Sequence, residues 1–522
     1  MSNKKFTFQV LAIWALLALA LELFVSPVLA KPVSATAFQG SSYEAIDAYV
    51  QREMRRAAIP GLVYGIVFHD QIVHLQAFGI ADPSGRLITP QTPFIIGSVA
   101  KTFTALAIRQ LINQGEIELN APVQRYIPWF RLSDPEATSI ITIRQLLSHT
   151  SGLSHADGNQ AIFFQEGSSI EELVRRLDRI HVNRPVGSSQ EYSNLNYLVL
   201  GQVVQMVSGQ PFSEYVQTNI FQPLEMKQSY FTEKEAIHNG LATGYHIWYG
   251  FPVPMQADFP TGAAPQGYVI SSVEDMAHYL IAYLNRGSYH GVSLLLPALS
   301  YAPTKPANWY DIYWNEYSGS NDRYSQAQSG GTNNFNSVIQ IMGDQSEGTY
   351  GIVVLMNTRP DMLVETVNAL SISEGISSLI LNGQVEKTSV LSSLEWYLWW
   401  GLVDLGLLGL TILAFYELFS FRRWANKIQG NNHPSLPAFV MRAGIDLIAG
   451  IFGLIALPVW QGLPWRDLLK PYCELCPFLI SSGTILVIVA VVKIAVVIRE
   501  VLERSKTNTA IQMAASNSGF ER

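Results

Sequence analysis

The chain has 522 residues, of which 48% are hydrophobic and only 14% charged, against about 25% charged in average soluble domains. Its formal net charge of -7 gives no basis for a nucleic-acid partner. Two cysteines are too few for a disulfide scaffold, and a mean hydropathy of +0.16 predicts that part of the chain lies in lipid.

Residues 1–30 read as a signal peptide. Lys4 and Lys5 precede an apolar run from Val10 to Val25, and Ser26-Pro27-Val28-Leu29-Ala30 offers small residues to a peptidase. Cleavage is expected after Ala30; an uncleaved anchor is the alternative, and Glu22 is unusual within such a run. Both readings export the following residues, 31–390, which form the main domain.

In that domain Ser42–Ile59 predicts a helix with Tyr43, Ile46, Tyr49 and Met54 on one side. Gly61–Phe68 and Gln71–Phe78 predict a hairpin around His69-Asp70. Then comes Phe94-Ile95-Ile96-Gly97-Ser98-Val99-Ala100-Lys101, where Ser98 opens a helix that ends near Asn113 and Gly115. Ser98 and Lys101, three apart, share a helix face, which suits a hydroxyl nucleophile beside a desolvated amine. The pair alone also fits a capping serine and a solvated lysine.

From Thr142 to Tyr279 the pattern is mostly helical. Within it, Glu191-Tyr192-Ser193-Asn194 leads into an apolar helix. Tyr192 is a potential proton shuttle and Asn194 a potential partner for an amide, although capping and packing explain such a motif equally well. Gln328-Ser329-Gly330-Gly331 stands at the edge of a strand. There the backbone N–H groups of Gly331 and Ser98 can together form an oxyanion hole; a bulge is the bland alternative. Asn336–Met342 and Tyr350–Met356 predict two antiparallel strands, and Asp361–Leu381 a long helix. Strands at both ends with helices between predict an α+β domain: one antiparallel sheet built from both ends, flanked by helices, with an inserted helical subdomain. No internal repeat is present.

After a linker, Asn382–Ser393, residues 391–500 hold three expected membrane spans at Trp396–Phe421, Phe439–Trp460 and Phe478–Val497. Arg422, Arg423, Lys427 and Arg442, then Lys493, Arg499, Arg504 and Lys506, place the 422–438 loop and the tail, 501–522, in the cytoplasm. Asp404, Glu417 and Asp446 fall in or near the spans, where acids are functional candidates by default. Glu417 lies near the basic end and Asp446 a turn from Arg442, which favours simple pairing, and Asp404 stays open. Cys473-x-x-Cys476 lies in the outer loop and fits a local disulfide better than a redox or zinc motif.

The motifs gain weight together. With Leu146-Leu147-Ser148-His149-Thr150-Ser151-Gly152-Leu153, Tyr192–Gly209, Phe221-Gln222-Pro223-Leu224-Glu225-Met226 and Ser271-Ser272-Val273-Glu274-Asp275-Met276, residues 40–382 resemble the serine β-lactamase and penicillin-binding protein superfamily. The branch is that of class C β-lactamases, D-Ala-D-Ala carboxypeptidases, D-aminopeptidases and related esterases. The resemblance implies an acylated nucleophile at Ser98 with Lys101 as its partner, and a proton shuttle at Tyr192. The acylation base, Lys101 or Tyr192, is left open. It also implies substrate binding by Asn194 and by the Gln328-Ser329-Gly330 strand, an oxyanion hole from Ser98 and Gly331, and no cofactor.

One departure stands out: Gln328 occupies a position where the family has Lys or His. This removes a cation that would attract a substrate carboxylate, and turns the expectation from β-lactams toward peptides or esters of cell-wall or D-amino-acid origin. The resemblance gives His149 no catalytic role, and His155 and His181 have no metal-ligand spacing with it, so no metal is expected. Trp309, Tyr310, Tyr313, Trp314 and Tyr317 fit a cleft edge or a core equally. The expectation is therefore a bacterial, membrane-anchored serine hydrolase with an extracytoplasmic catalytic domain. The alternative is a penicillin-binding-like sensor or binding protein that works through its helices.

Overall fold

The computed structural model describes residues 43–248, 251–256, 258–285, 287–294, 315–318, 323–344, 348–359, 367–385, 393–429, 436–461 and 476–518. The expected signal peptide, Cys473 and residues 309–314 lie outside them.

Helix α1 (Tyr43–Arg56) is followed by strands β1 (Gly61–Phe68) and β2 (Gln71–Gly79), the expected hairpin. The inserted region contains α2 (Lys101–Asn113), α3 (Asn194–Ser208) and α4 (Val273–Leu284) among shorter helices. Strands β3 (Asn315–Ser318), β4 (Arg323–Gly331), β5 (Asn336–Asp344) and β6 (Gly348–Met356) then precede α5 (Ala369–Asn382). The expected helix Asp361–Leu381 is described from Ala369, residues 361–366 lying outside the described residues; Asn368 caps it, its side chain accepting from Ser371 N while the Ser371 hydroxyl accepts from Asn368 N.

The sheet order is β2-β1-β6-β5-β4-β3, with every pair antiparallel. The two ends of the domain meet at β1 and β6, with Tyr64 opposite Val354. β1 is apolar almost throughout and buried along most of its length because both sheet faces are covered. Leu62, Tyr64, Ile66, Val338 and Val354 face α1 and α5. Val63, Val67, Ile339, Val353 and Leu355 face α4 and the helical region. This is the expected α+β architecture.

Three further helices follow: α6 (Ser393–Gln429), α7 (Leu436–Gln461) and α8 (Cys476–Ser518). Taken over the described residues, no helix is long and apolar enough to cross a membrane. The expected runs are interrupted by Glu417, Asp446 and Lys493, which the structure gathers in one place. Arg442 pairs with Glu417 at 2.6 Å, and Lys493 pairs with Asp446 at 2.7 Å and with Glu417. Glu417, Asp446 and Lys493 are buried; both acids are paired, but Arg442, expected to serve Asp446, pairs with Glu417, and Asp446 takes Lys493. The side chain of Asp404 is not among those described.

Candidate active site

The short strand Phe94-Ile95 pairs with Ile270-Ser271 and delivers the chain to a tight 3-10 turn, Gly97–Ala100, before α2 begins at Lys101. Ser98 therefore lies in this turn rather than at the first position of the α-helix. Gly97 has φ +53, and a Cβ there would come within 2.4 Å of Gly331 N. Only glycine allows both the backbone angle and this approach. Ser337 Oγ donates to Ile96 O at 2.6 Å, which clips the turn to β5. Gly331, at the exposed end of β4, is thereby held beside the Ser98 turn.

Lys101 is fully buried. Its amine lies 2.9 Å from Ser98 Oγ and donates to Asn194 Oδ1 at 2.8 Å and to Gln266 O. Burial lowers its pKa from the ordinary 10.5, and Tyr192 partly opposes the shift; desolvation favours the neutral amine. Tyr192 OH lies 2.7 Å from Ser98 Oγ and 3.3 Å from Asn194 Oδ1. The three groups expected to do chemistry, 94 residues apart in the case of Ser98 and Tyr192, thus meet in one hydrogen-bonded cluster. A neutral Lys101 amine has two N–H groups, for Asn194 Oδ1 and Gln266 O, and turns its lone pair to Ser98 Oγ; the hydroxyl can then lose its proton to that amine, directly or by relay through the Tyr192 phenol, as it attacks a carbonyl carbon.

The Leu146–Leu153 stretch supports the Tyr192 segment rather than the chemistry. His149, buried and at φ 56, accepts at Nδ1 from Ser193 N at 3.2 Å and from Asn196 Nδ2 at 2.9 Å. Ser151 Oγ donates to Asn196 Oδ1 at 2.5 Å. Burial, with Lys101 adding to it, holds the His149 imidazole down at about 3, so it stays neutral.

The substrate-binding residues are placed less simply. Asn194 Nδ2 already donates to Asn159 Oδ1 at 3.0 Å and to Gly158 O at 3.4 Å. Gln328 is buried on β4, and its Nε2 donates to Ser329 O at 2.7 Å rather than to the Ser98 cluster. Ser329 is half-buried, and buried Gly330 accepts at its carbonyl from Asn336 Nδ2 at 2.9 Å. Sequence reading missed Gln266, whose contribution is a backbone carbonyl with no side-chain signature. It also missed Asn159, one of many polar loop residues.

The family model described as Beta-lactamase matches residues 46–374, more than half of the chain. The chain belongs to the beta-lactamase family. This beta-lactamase family serine hydrolase is 29% identical over 335 residues to Protein flp of Staphylococcus aureus strain MW2, covering 63% of the chain and 66% of flp. It is 34% identical over 225 residues to the esterase EstB of Burkholderia gladioli, covering 40% of the chain and 56% of EstB. The chain thus spans about two thirds of flp and little more than half of EstB. In fold it is similar to an octameric penicillin-binding protein homologue from Pyrococcus abyssi, with TM-score 0.55 at 24% identity over 66% of this chain and 78% of that one. FmtA from Staphylococcus aureus gives TM-score 0.52 at 21% identity over 69% and 96%. The β-lactamase-like fold expected from the motifs is the fold observed.

Proposed function

We propose that this family member hydrolyses amides or esters through an acyl-Ser98 intermediate. Lys101 and Tyr192 exchange protons with Ser98, and the Ser98 and Gly331 backbone N–H groups stabilise the oxyanion. The observation that carries this reading is the convergence of Lys101 Nζ and Tyr192 OH on Ser98 Oγ, at 2.9 and 2.7 Å. Gln328 supplies no positive charge, so the substrate is a peptide or an ester, of cell-wall or D-amino-acid chemistry, in preference to a β-lactam. The likeness to an esterase, EstB, supports the ester side of this reading. The test is intact mass of the full chain after a fluorophosphonate and, separately, a fluorescent penicillin, beside Ser98→Ala. A Ser98-dependent adduct with the fluorophosphonate is expected; the absence of any Ser98-dependent adduct refutes the reading.

The same reading places the hydrolase outside a bacterial membrane, held by residues 391–500, with the tail in the cytoplasm. What supports it is the arrangement of side chains on α6, α7 and α8. Leu405, Ile412, Phe419, Ile448, Phe452 and Ile488 face outward while Glu417, Asp446 and Lys493 face inward, the reverse of a water-soluble bundle. The basic residues Arg422, Arg423 and Lys427 at the C-terminal end of α6 agree in direction. Resistance of the full chain to alkaline carbonate extraction from membranes is expected; release into the supernatant refutes the anchor.

A further inference from the structure

A chain of side-chain amides runs from the buried amine of the Ser98 cluster to the protein surface. Lys101 Nζ donates to Asn194 Oδ1 at 2.8 Å. Asn194 Nδ2 donates to Asn159 Oδ1 at 3.0 Å. Asn159 Nδ2 lies 2.8 Å from His155 Nε2. The direction is set from the inside. Lys101 and Tyr192 both use Asn194 Oδ1 as an acceptor, so the Asn194 amide must point its N–H groups outward. Asn159 must then accept with its oxygen and donate with its nitrogen. The last acceptor is His155 Nε2, which can accept only when the ring is neutral with its proton on Nδ1.

We propose that His155 is a positioning residue that transmits protonation at the surface to Asn194, and through Asn194 to Lys101 and Tyr192. This rests on the acyl-serine reading given above. Protonated His155 presents an N–H to the Asn159 NH₂ group, two donors facing each other. Relief requires the Asn159 amide to turn, which then sets its NH₂ against that of Asn194. The disturbance ends at the oxygen that receives Lys101 and Tyr192.

His155 is exposed to bulk solvent. Glu191 approaches from the loop before α3 and accepts from the His155 backbone N at 2.8 Å, while Arg184 pairs with Glu191 at 2.8 Å. Asp157, on the same short helix, accepts from Ser154 and Gln160. The Tyr192 ring lies 5.8 Å from the His155 ring and 4.8 Å from the His149 ring, centroid to centroid.

The test is the rate of fluorophosphonate labelling of the full chain between about pH 5 and 9, read by intact mass, for wild type, Ser98→Ala, His155→Ala and His155→Gln. In the wild type the rate should fall toward acid pH, by up to roughly tenfold per pH unit for a single proton. The amide oxygen that His155→Gln introduces is an acceptor at every pH. This variant should therefore move the acid limb down by about one pH unit or more and label faster than His155→Ala at high pH. An acid limb unchanged in His155→Gln overturns the inference while leaving the acyl-serine reading intact. Wild type without any Ser98-dependent adduct overturns both.

Discussion

Lys101 and Asn194 lie 93 residues apart in sequence and are joined by a 2.8 Å hydrogen bond in the interior. This contact ties the start of α2 to the start of α3 and fixes where the amine points: at Ser98 Oγ on one side and the Asn194 amide on the other. Full burial of the amine keeps solvent from competing for those positions.

Lys101→Met should lower kcat/KM for an activated ester by about 10²–10⁴-fold with little change in circular dichroism. Its pH signature follows from the lowered pKa. Between the depressed folded value and the ordinary 10.5, the unfolded chain holds a proton that the folded chain does not. Wild type should therefore gain stability relative to Lys101→Met as pH rises through that window. Thermal unfolding at a series of alkaline pH values measures this; a constant difference between the two proteins contradicts it.

Tyr192→Phe removes the hydroxyl that lies 2.7 Å from Ser98 Oγ and keeps the ring against His149. A loss of about 10²–10⁴-fold in kcat is expected, with a Tm close to that of wild type. Stopped-flow hydrolysis of a p-nitrophenyl ester separates acylation from deacylation, and both should slow.

His149 should make the fold acid-sensitive. Its folded pKa is held down from 6.5 to about 3. As pH falls below 6.5, the unfolded state takes up a proton that the folded state refuses. Stability is therefore lost at up to roughly 1.4 kcal/mol per pH unit until the folded value is reached. In His149→Asn this component is absent, so the Tm gap between wild type and variant should narrow from pH 7 to pH 4.

Gly97→Ala places a Cβ 2.4 Å from Gly331 N at a backbone angle of φ +53. Destabilisation above about 2 kcal/mol is expected, and labelling of Ser98 should be lost in whatever fraction stays folded. Denaturant unfolding alongside labelling reports both.

Gln328→Lys should increase labelling by fluorescent penicillin about 10–100-fold, the range expected for a charge-assisted hydrogen bond to a carboxylate. Labelling by the uncharged fluorophosphonate should change far less. Equal changes with the two probes would show that the residue acts on the nucleophile and not on substrate charge.

Much of the domain was legible in the chain because its signals are local. The continuous apolar runs of β1 and β6 mark a sheet covered on both faces, and Ser98, Lys101, Tyr192 and Asn194 stand in short motifs whose order matches the family. The cap at Asn368, which starts the helix at Ala369, was not read from the chain because it is a single residue inside a longer apolar pattern. The Gln328 amide turns to its own strand, which its one-letter identity could not reveal.

By itself the sequence determined the α+β domain, the order of its motifs and the residue types at the nucleophile, since periodicity and spacing record which faces are buried. Tertiary structure alone decided which polar groups meet: Gln266 O on Lys101, Asn159 on Asn194, Lys493 between Glu417 and Asp446. A buried donor must find an acceptor wherever the fold brings one. Those partners lie from 35 to 165 residues away, beyond any local pattern.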